Sequence, residues 1–287
     1  MLCLLANAKN YCAFVSFTTL YVPTDPQELQ LWKASVSHIA NHFIAKYGLH
    51  EVQQWNFETW NEPDHHHFSP FVSNQSYWNY LTATYEGLEN LDLKIGGPGG
   101  TCRPPHFIHL CQTFLRFSQS HPMSYVSFHR KGQGEVDSIV QDEYQSTLPL
   151  IRSFFPNGSI INDEGDPLKS WWKPQLWRAT VAYPALVARF VLSNDSLLFL
   201  KTLLFYFSRH LALTQDILYA DLNLVSNDNA FLNSLESTEF REVPFDQRTL
   251  LTRLGDCLLI PKPIFHLWTL LALQGKILQF ENMRLFE

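Results

Sequence analysis

Residues 52–64 of the chain read VQQWNFETWNEPD. The part before Trp60 is rich in β-branched and aromatic side chains, which favour a strand, and Pro63 cannot donate to a sheet ladder. We therefore expect a buried strand over residues 52–59 that emerges into a loop at Glu62. Barrel enzymes keep their catalytic groups at that end of a strand. A helix N-cap with an acidic first turn is the alternative for the same Asn-Glu-Pro sequence.

A second carboxylate, Glu164, follows a short apolar segment in the same way. Residues 159–167 read SIINDEGDP, so an apolar strand ends at an acid that glycine and proline follow. Two strand-end carboxylates on one rim suit a retaining glycosidase, in which one is the acid/base and the other the nucleophile, roughly 5 Å apart. The amide of Asn61 suits a hydrogen bond to a sugar hydroxyl. The sequence therefore predicts glycosidic chemistry.

The rest of the chain alternates helical and strand patterns. Helices are predicted over residues 25–47, 77–88, 105–117, 138–154 and 177–192, and strands over residues 93–95, 125–129 and 221–226. The glycine-rich residues 96–100 are expected to form a tight turn after their strand. Such alternation predicts a parallel sheet with right-handed crossovers. Because the polar candidates fall at several strand ends, a (β/α)8 TIM barrel is favoured over a doubly wound sheet with one crevice.

Five segments together resemble glycoside hydrolase family 39. They are residues 56–66 (NFETWNEPDHH), 127–132 (SFHRKG), 162–167 (NDEGDP), 226–231 (SNDNAF) and 247–250 (QRTL). They occur in the family's order, and the resemblance runs from about Asp25 to about Leu273. The resemblance implies a (β/α)8 barrel glycosidase fold, with Glu62 as acid/base and Glu164 as nucleophile.

Within that family the segments resemble those of enzymes that cleave terminal α-L-iduronosyl bonds of glycosaminoglycans. The resemblance implies that the uronic acid sugar is held by Asn61, His129, Lys131, Asp228 and Arg248. Trp171 either walls the sugar pocket or packs in the core. No metal and no cofactor are implied, and the location would be lysosomal or secreted. A β-xylosidase of the same family is the alternative, but the cations Lys131 and Arg248 favour a substrate with a carboxylate.

The number of residues before Glu62 predicts an incomplete barrel. In the family three strand–helix units precede the acid/base, at roughly 30 residues each, whereas 61 residues precede Glu62 here. We expect a divergent segment over residues 1–24, with at most one strand near residues 13–22, and a partial barrel over residues 25–287 that lacks two or three early strands. The family's C-terminal β domains are expected to be absent, and residues 197–219 to form an insertion. A non-catalytic fragment that binds acidic sugars weakly is therefore the alternative function.

Composition restricts the partners and the thiol chemistry. The net charge of −6 argues against nucleic acid as a partner, since no basic stripe is present. The apolar residues 197–207 are too few for a membrane span, and the N-terminus contains no convincing signal peptide. The five cysteines lack zinc-site spacing and are expected to be buried thiols, with at least one unpaired. The three histidines of residues 65–67 are expected to form a solvated loop and not a zinc site.

Overall fold

The structure is a computed structural model that describes residues 2–5, 12–15, 25–64, 72–106, 108–132, 135–166, 168–169, 175–191, 222–224, 250–254 and 258–274. Its main sheet contains β1 (Leu2–Leu5), β2 (Cys12–Val15), β3 (Asn56–Thr59), β4 (Lys94–Gly100), β5 (Tyr125–Lys131), β6 (Ser159–Asp166) and β7 (Leu222–Leu224). A separate antiparallel pair contains β8 (Leu251–Leu254) and β9 (Leu258–Pro261).

Helices alternate with the parallel strands along the chain. They are α1 (Pro26–Tyr47), α2 (Leu49–Val52), α3 (Asn74–Leu88), α4 (His109–Ser120), α5 (Val136–Asp142), α6 (Leu148–Phe154), α7 (residues 182–191) and α8 (Pro263–Gln274). A π-helical turn, Glu143–Thr147, joins α5 to α6, and short 3-10 turns occupy Glu89–Leu91 and Leu176–Ala179. The structure therefore repeats a strand followed by a helix, as the sequence predicted.

The main sheet is parallel from β3 to β7 and antiparallel at one end. Its strand order is β2-β1-β3-β4-β5-β6-β7, and β1 pairs antiparallel with both β2 and β3. The expectation of at most one strand before α1 is wrong, because β1 and β2 both precede that helix. Since β3 to β7 run in one direction, their carboxyl ends lie along the same edge, where the strand-end side chains can meet.

Helix α1 packs closely on α3. A capping box at Asp25 and Glu28 begins α1, with Asp25 Oδ1 accepting from the Gln27 backbone N–H at 2.7 Å. The buried Trp32 indole donates to Thr84 Oγ1 at 2.8 Å. The main core also includes apolar side chains from the parallel strands: Phe57, Ile95, Val126, Phe128 and Ile160. Burial of these side chains holds the helices against the sheet that carries the polar strand ends.

Several element boundaries differ from the predicted ones. The strand before Glu62 begins at Asn56, not at residue 52, because Leu49–Val52 form a helical turn. Strand β4 continues through the glycines to Gly100, so these residues lie in the sheet and do not end it. The predicted helix over residues 177–192 is divided into a 3-10 turn and α7, and the predicted helix over residues 138–154 contains the π-helical turn.

Two of the cysteines are paired. Cys102 and Cys111 form a disulfide that joins the segment after β4 to the first turn of α4. The expectation that the cysteines are buried thiols is therefore wrong for this pair, which spacing alone did not reveal. Among the described helices, none combines the length and hydropathy that crossing a bilayer requires.

Candidate active site

Glu62 lies in a tight loop that follows β3. Trp60 and Glu62 both adopt left-handed backbone conformations, with φ of 66° and 49°, which cost a residue other than glycine about 1–3 kcal/mol each. The Glu62 backbone N–H donates to the Gly99 carbonyl at 2.8 Å. The Asp64 carboxylate accepts from two backbone N–H groups in the first turn of α4, at 2.8 and 3.1 Å. These contacts fix the direction in which the Glu62 side chain leaves the sheet edge.

Strand β5 presents alternate side chains to the two faces of the sheet. Val126 and Phe128 belong to the apolar core, and Arg130 pairs with Asp142 of α5 at 3.0 Å. His129 and Lys131 lie at alternate positions to these residues and point to the other face. That face is where the predicted catalytic side chains lie.

A register shift in β6 brings two acidic residues to the same histidine. Phe128 pairs with Asn162 and His129 pairs with Glu164, so Asp163 is the extra residue of a β-bulge. A bulge turns side chains away from strict alternation and often occurs beside active sites. Both Asp163 and Glu164 approach the His129 ring as a result, with oxygen-to-nitrogen distances of 3.4 Å each.

The two predicted catalytic carboxylates meet at His129. Glu62 Oε1 lies 2.9 Å from His129 Nδ1, and Glu164 Oε2 lies 3.4 Å from the same nitrogen. One oxygen of Glu62 and one of Glu164 lie within 4.8 Å of each other. Lys131 Nζ donates to Glu164 Oε2 at 2.7 Å. Four of the predicted site residues, Glu62, His129, Lys131 and Glu164, therefore form one cluster.

Charge in this cluster favours a protonated histidine. Burial by itself lowers the pKa of His129, but the carboxylates of Glu164 and Asp163 and the hydrogen bond to Glu62 together raise it well above its ordinary value. The imidazolium and the Lys131 ammonium then place positive charge beside Glu164. The negative charge of Glu164 is therefore paired with two cations, which suits the nucleophile that the sequence predicts at this position.

Residues 13–283 match the family described as glycosyl hydrolases family 39. The chain belongs to this family. The human and mouse α-L-iduronidases are 37% and 35% identical to the chain over 272 residues, which is 87% of its length. The chain spans only 38% of the human relative and 40% of the mouse relative.

A solved structure of a bacterial orthologue of human α-L-iduronidase has a similar fold. Its TM-score is 0.62 at 21% identity, with 86% of this chain and 41% of that chain covered. This likeness confirms the predicted (β/α)8-barrel class, and the described parallel strands form part of such a barrel. The family 39 membership confirms the resemblance that the five sequence segments indicated.

The remaining predicted site residues are less fully placed. Asn61 lies beside Glu62 in the loop after β3 and is half-buried. Trp171, Asp228 and Arg248 lie outside the described residues, as do the three histidines of residues 65–67. Their roles in this family 39 chain stay predictions.

Sequence reasoning missed a buried acid, Glu58, which lies four residues before Glu62. Its side chain is 1% exposed, and burial, followed by the neighbouring Asp163, raises its pKa well above the ordinary value. The signal that could have revealed Glu58 is its position inside a strand that is buried on both faces. Glutamates are rarely fully buried without a partner.

Glu62, His129 and Glu164 could also supply three ligand atoms to a metal ion, because these atoms lie within 4.8 Å of one another. Metal binding requires a neutral imidazole, whereas the surrounding carboxylates favour the protonated form of His129. Lys131 already neutralises Glu164 at 2.7 Å. The donor set therefore fits proton-transfer chemistry better than a cation site.

Proposed function

We propose that the chain is a retaining glycosidase that cleaves terminal α-L-iduronosyl bonds of glycosaminoglycans. The observation that carries this proposal is the approach of the Glu62 and Glu164 carboxylates to within 4.8 Å. Retaining glycosidases hold their two carboxyl groups about 5–5.5 Å apart, whereas inverting enzymes need about 6.5–9.5 Å to admit a water. The observed approach therefore agrees with the retaining spacing and is shorter than the inverting one.

The two carboxylates are proposed to take different roles. Glu62 protonates the leaving oxygen while Glu164 attacks the anomeric carbon and forms a glycosyl–enzyme intermediate. Glu62, now ionised, then takes a proton from the water that releases the sugar. Lys131 supports the nucleophile because its ammonium lies 2.7 Å from Glu164 Oε2. Neither step requires a metal or another cofactor.

An acidic sugar is the proposed substrate because a cation, Lys131, lies beside the carboxylate pair, 2.7 Å from Glu164 Oε2. Arg248 is proposed to pair with the sugar carboxylate through its planar guanidinium. Asn61, His129, Asp228 and Trp171 are proposed to contact the same sugar. The human and mouse relatives, named as α-L-iduronidases, support this choice over a β-xylosidase.

A lysosomal or secreted location is proposed with this activity. Disulfides persist in oxidising compartments and are rare in the cytosol, and the Cys102–Cys111 pair suits the former. A hydrolase of extracellular glycans would also meet its substrate along the secretory route. Measuring whether the disulfide is formed in cells, by thiol labelling of the isolated protein, checks this part of the proposal.

The activity is tested with aryl α-L-iduronides and aryl β-xylosides. We expect turnover of the iduronide, with the first-formed sugar retaining its anomeric configuration by NMR. Glu164→Gln should abolish turnover of every aryl iduronide. Glu62→Gln should reduce hydrolysis by about 10²–10⁴-fold where the leaving group needs protonation, and much less in the glycosylation step of an activated nitrophenyl substrate.

The exposed Glu51 provides a matched control, since Glu51→Gln makes the same chemical change far from the cluster. It should leave kcat and KM unchanged. A Glu164→Gln variant that kept near-wild-type rates would contradict the proposed nucleophile. Faster hydrolysis of the xyloside would favour the β-xylosidase, and an inactive, cooperatively folded wild-type chain would contradict the proposed activity.

A further inference from the structure

A second layer of buried acids lies behind His129, on the side away from the proposed catalytic pair. Nε2 of the ring lies 3.4 Å from Asp163 Oδ2, while Nδ1 faces Glu62 at 2.9 Å. Asp163 is 7% exposed, and both His129 and Glu58 are 1% exposed. The carboxyl of Glu58 lies within hydrogen-bonding reach of Asp163 and of the Ser127 hydroxyl. The ring is thus held between acids on two sides.

The Glu58 and Asp163 carboxyls each have an oxygen that meets no donor among the described residues. These buried atoms are Glu58 Oε2 and Asp163 Oδ1. Two ionised carboxylates in contact would repel each other in a region that excludes water. A single proton between them removes the repulsion and supplies the missing donor, since a protonated carboxyl both donates and accepts.

Backbone features force the two carboxyls together. The bulge at Asp163 turns its side chain toward His129. Gly99, with φ of +58°, leaves space for Glu58, because a Cβ at this position would lie 2.6 Å from Glu58 Oε1. The Gly99 backbone N–H also donates to Ser127 Oγ at 3.0 Å. The acid pair is therefore built into the strands and is not a chance approach of flexible side chains.

We propose that Glu58 and Asp163 are positioning residues of the glycosidase site, which share one proton and hold the His129 ring so that Nδ1 serves both Glu62 and Glu164. This inference rests on the proposed function. The negative charge of Asp163 lies 3.4 Å from Nε2, without a hydrogen bond to it, and attracts the imidazolium in this orientation. Glu58 keeps the pair at a single negative charge.

The proposed proton gives a balanced set of charges around the ring. The groups around His129 are Glu58 and Glu62 from β3 and its loop, and Asp163 and Glu164 from β6. Lys131, on the same strand as His129, pairs with Glu164. Two cations, the imidazolium and Lys131, then match two anions, the acid pair and Glu164. With this balance Glu62 can be the neutral acid that delivers a proton to the leaving oxygen. Tyr77 also lies near Glu58 and stays neutral, since burial raises its pKa well above the ordinary value.

The first test measures the pKa of His129 by NMR, in the full chain labelled with ¹⁵N-histidine. The signals of His129 are identified by their absence from the spectrum of the His129→Gln variant. Asp163→Asn removes an anion beside the ring and should lower the pKa of His129 by about 1–3. Glu58→Gln replaces a neutral acid with a neutral amide that can still donate to Asp163, so the titration of His129 should stay as in the wild type. A fall in the pKa of His129 in Glu58→Gln as large as that in Asp163→Asn would overturn the shared proton.

A second test needs no variant of Asp163 and stands if that variant fails to fold. The infrared difference spectrum of wild type minus Glu58→Gln at neutral pH should contain the carbonyl stretch of a protonated carboxylic acid. If only carboxylate bands are present, the proposal is wrong. Neither spectroscopic test depends on turnover, so an inactive chain would contradict the proposed function without deciding the state of this pair.

Kinetics then separate positioning from packing. Asp163→Asn should lower kcat by about 100-fold with KM little changed, as expected for a misplaced catalytic group. Glu58→Gln should retain most of the activity and Glu58→Leu, which cannot donate, should lose it. Equal activity in Glu58→Gln and Glu58→Leu would show that a hydrogen bond from this position is not used.

Discussion

Substituting Glu143 should make the chain more stable at neutral pH. Glu143 is fully buried in the π-helical turn and accepts a hydrogen bond from Asn162 Nδ2 at 2.9 Å. Burial raises its pKa from the ordinary 4.5 to about 8, although the nearby Arg130 acts in the opposite direction. The folded chain therefore holds a proton on Glu143 that the unfolded chain releases above about pH 4.5.

The sign and size of the effect follow from this difference. When folding raises the pKa of an acid, the free energy of unfolding falls as the pH rises above the pKa that the acid has in the unfolded chain. The fall ends once the pH exceeds the pKa that the acid has in the folded chain. Each pH unit in that window is worth about 1.4 kcal/mol. Between about pH 4.5 and 7.5 the contribution of Glu143 therefore falls by about 4 kcal/mol. Glu143→Gln keeps an oxygen to accept from Asn162 and removes this dependence.

The assay is urea unfolding followed by tryptophan fluorescence at a series of pH values. We expect wild type and Glu143→Gln to have similar unfolding free energies near pH 4.5 and to diverge steadily above it, with the variant more stable. Glu89→Gln is the control, since Glu89 is exposed and its substitution makes the same change in charge. Parallel pH curves for wild type and Glu143→Gln would refute the reasoning.

Two further substitutions test the backbone and the buried charge. Gly99→Ala should unfold at a lower temperature and lose activity, because its Cβ would lie 2.6 Å from Glu58 Oε1 at a φ of +58°. Gly48→Ala is the control: its φ is +87° but nothing lies within 4 Å of the added Cβ, so it should lower the free energy of unfolding by only about 1 kcal/mol. An equal loss of stability in both variants would contradict the steric argument. Asp166 and Arg178 form a fully buried ion pair, so Arg178→Met alone should cost about 3–5 kcal/mol in denaturant unfolding. Adding Asp166→Asn should recover much of that loss, and strictly additive losses would show that the pair is not coupled.

Local patterns in the sequence determined much of this protein. The apolar and aromatic segments before Glu62 and Glu164 predicted strands, and the helical periodicity between them required those strands to be parallel. Parallel strands bring their carboxyl ends to one edge, so the meeting of Glu62, His129, Lys131 and Glu164 could be predicted before any coordinates. Alternation along a strand likewise placed His129 and Lys131 on the same face.

Tertiary structure decided how these groups face one another. The bulge at Asp163 depends on the register between β5 and β6, and the left-handed turn at Glu62 depends on the carbonyl of Gly99 in the neighbouring strand. The raised pKa of Glu58 depends on its burial and on the neighbouring Asp163. Register, bulges and burial arise from contacts between residues far apart in the chain, and local propensity carries no information about them. The sequence could therefore locate the two proposed catalytic carboxylates, but only the packed strands determine their separation and their electrostatic surroundings.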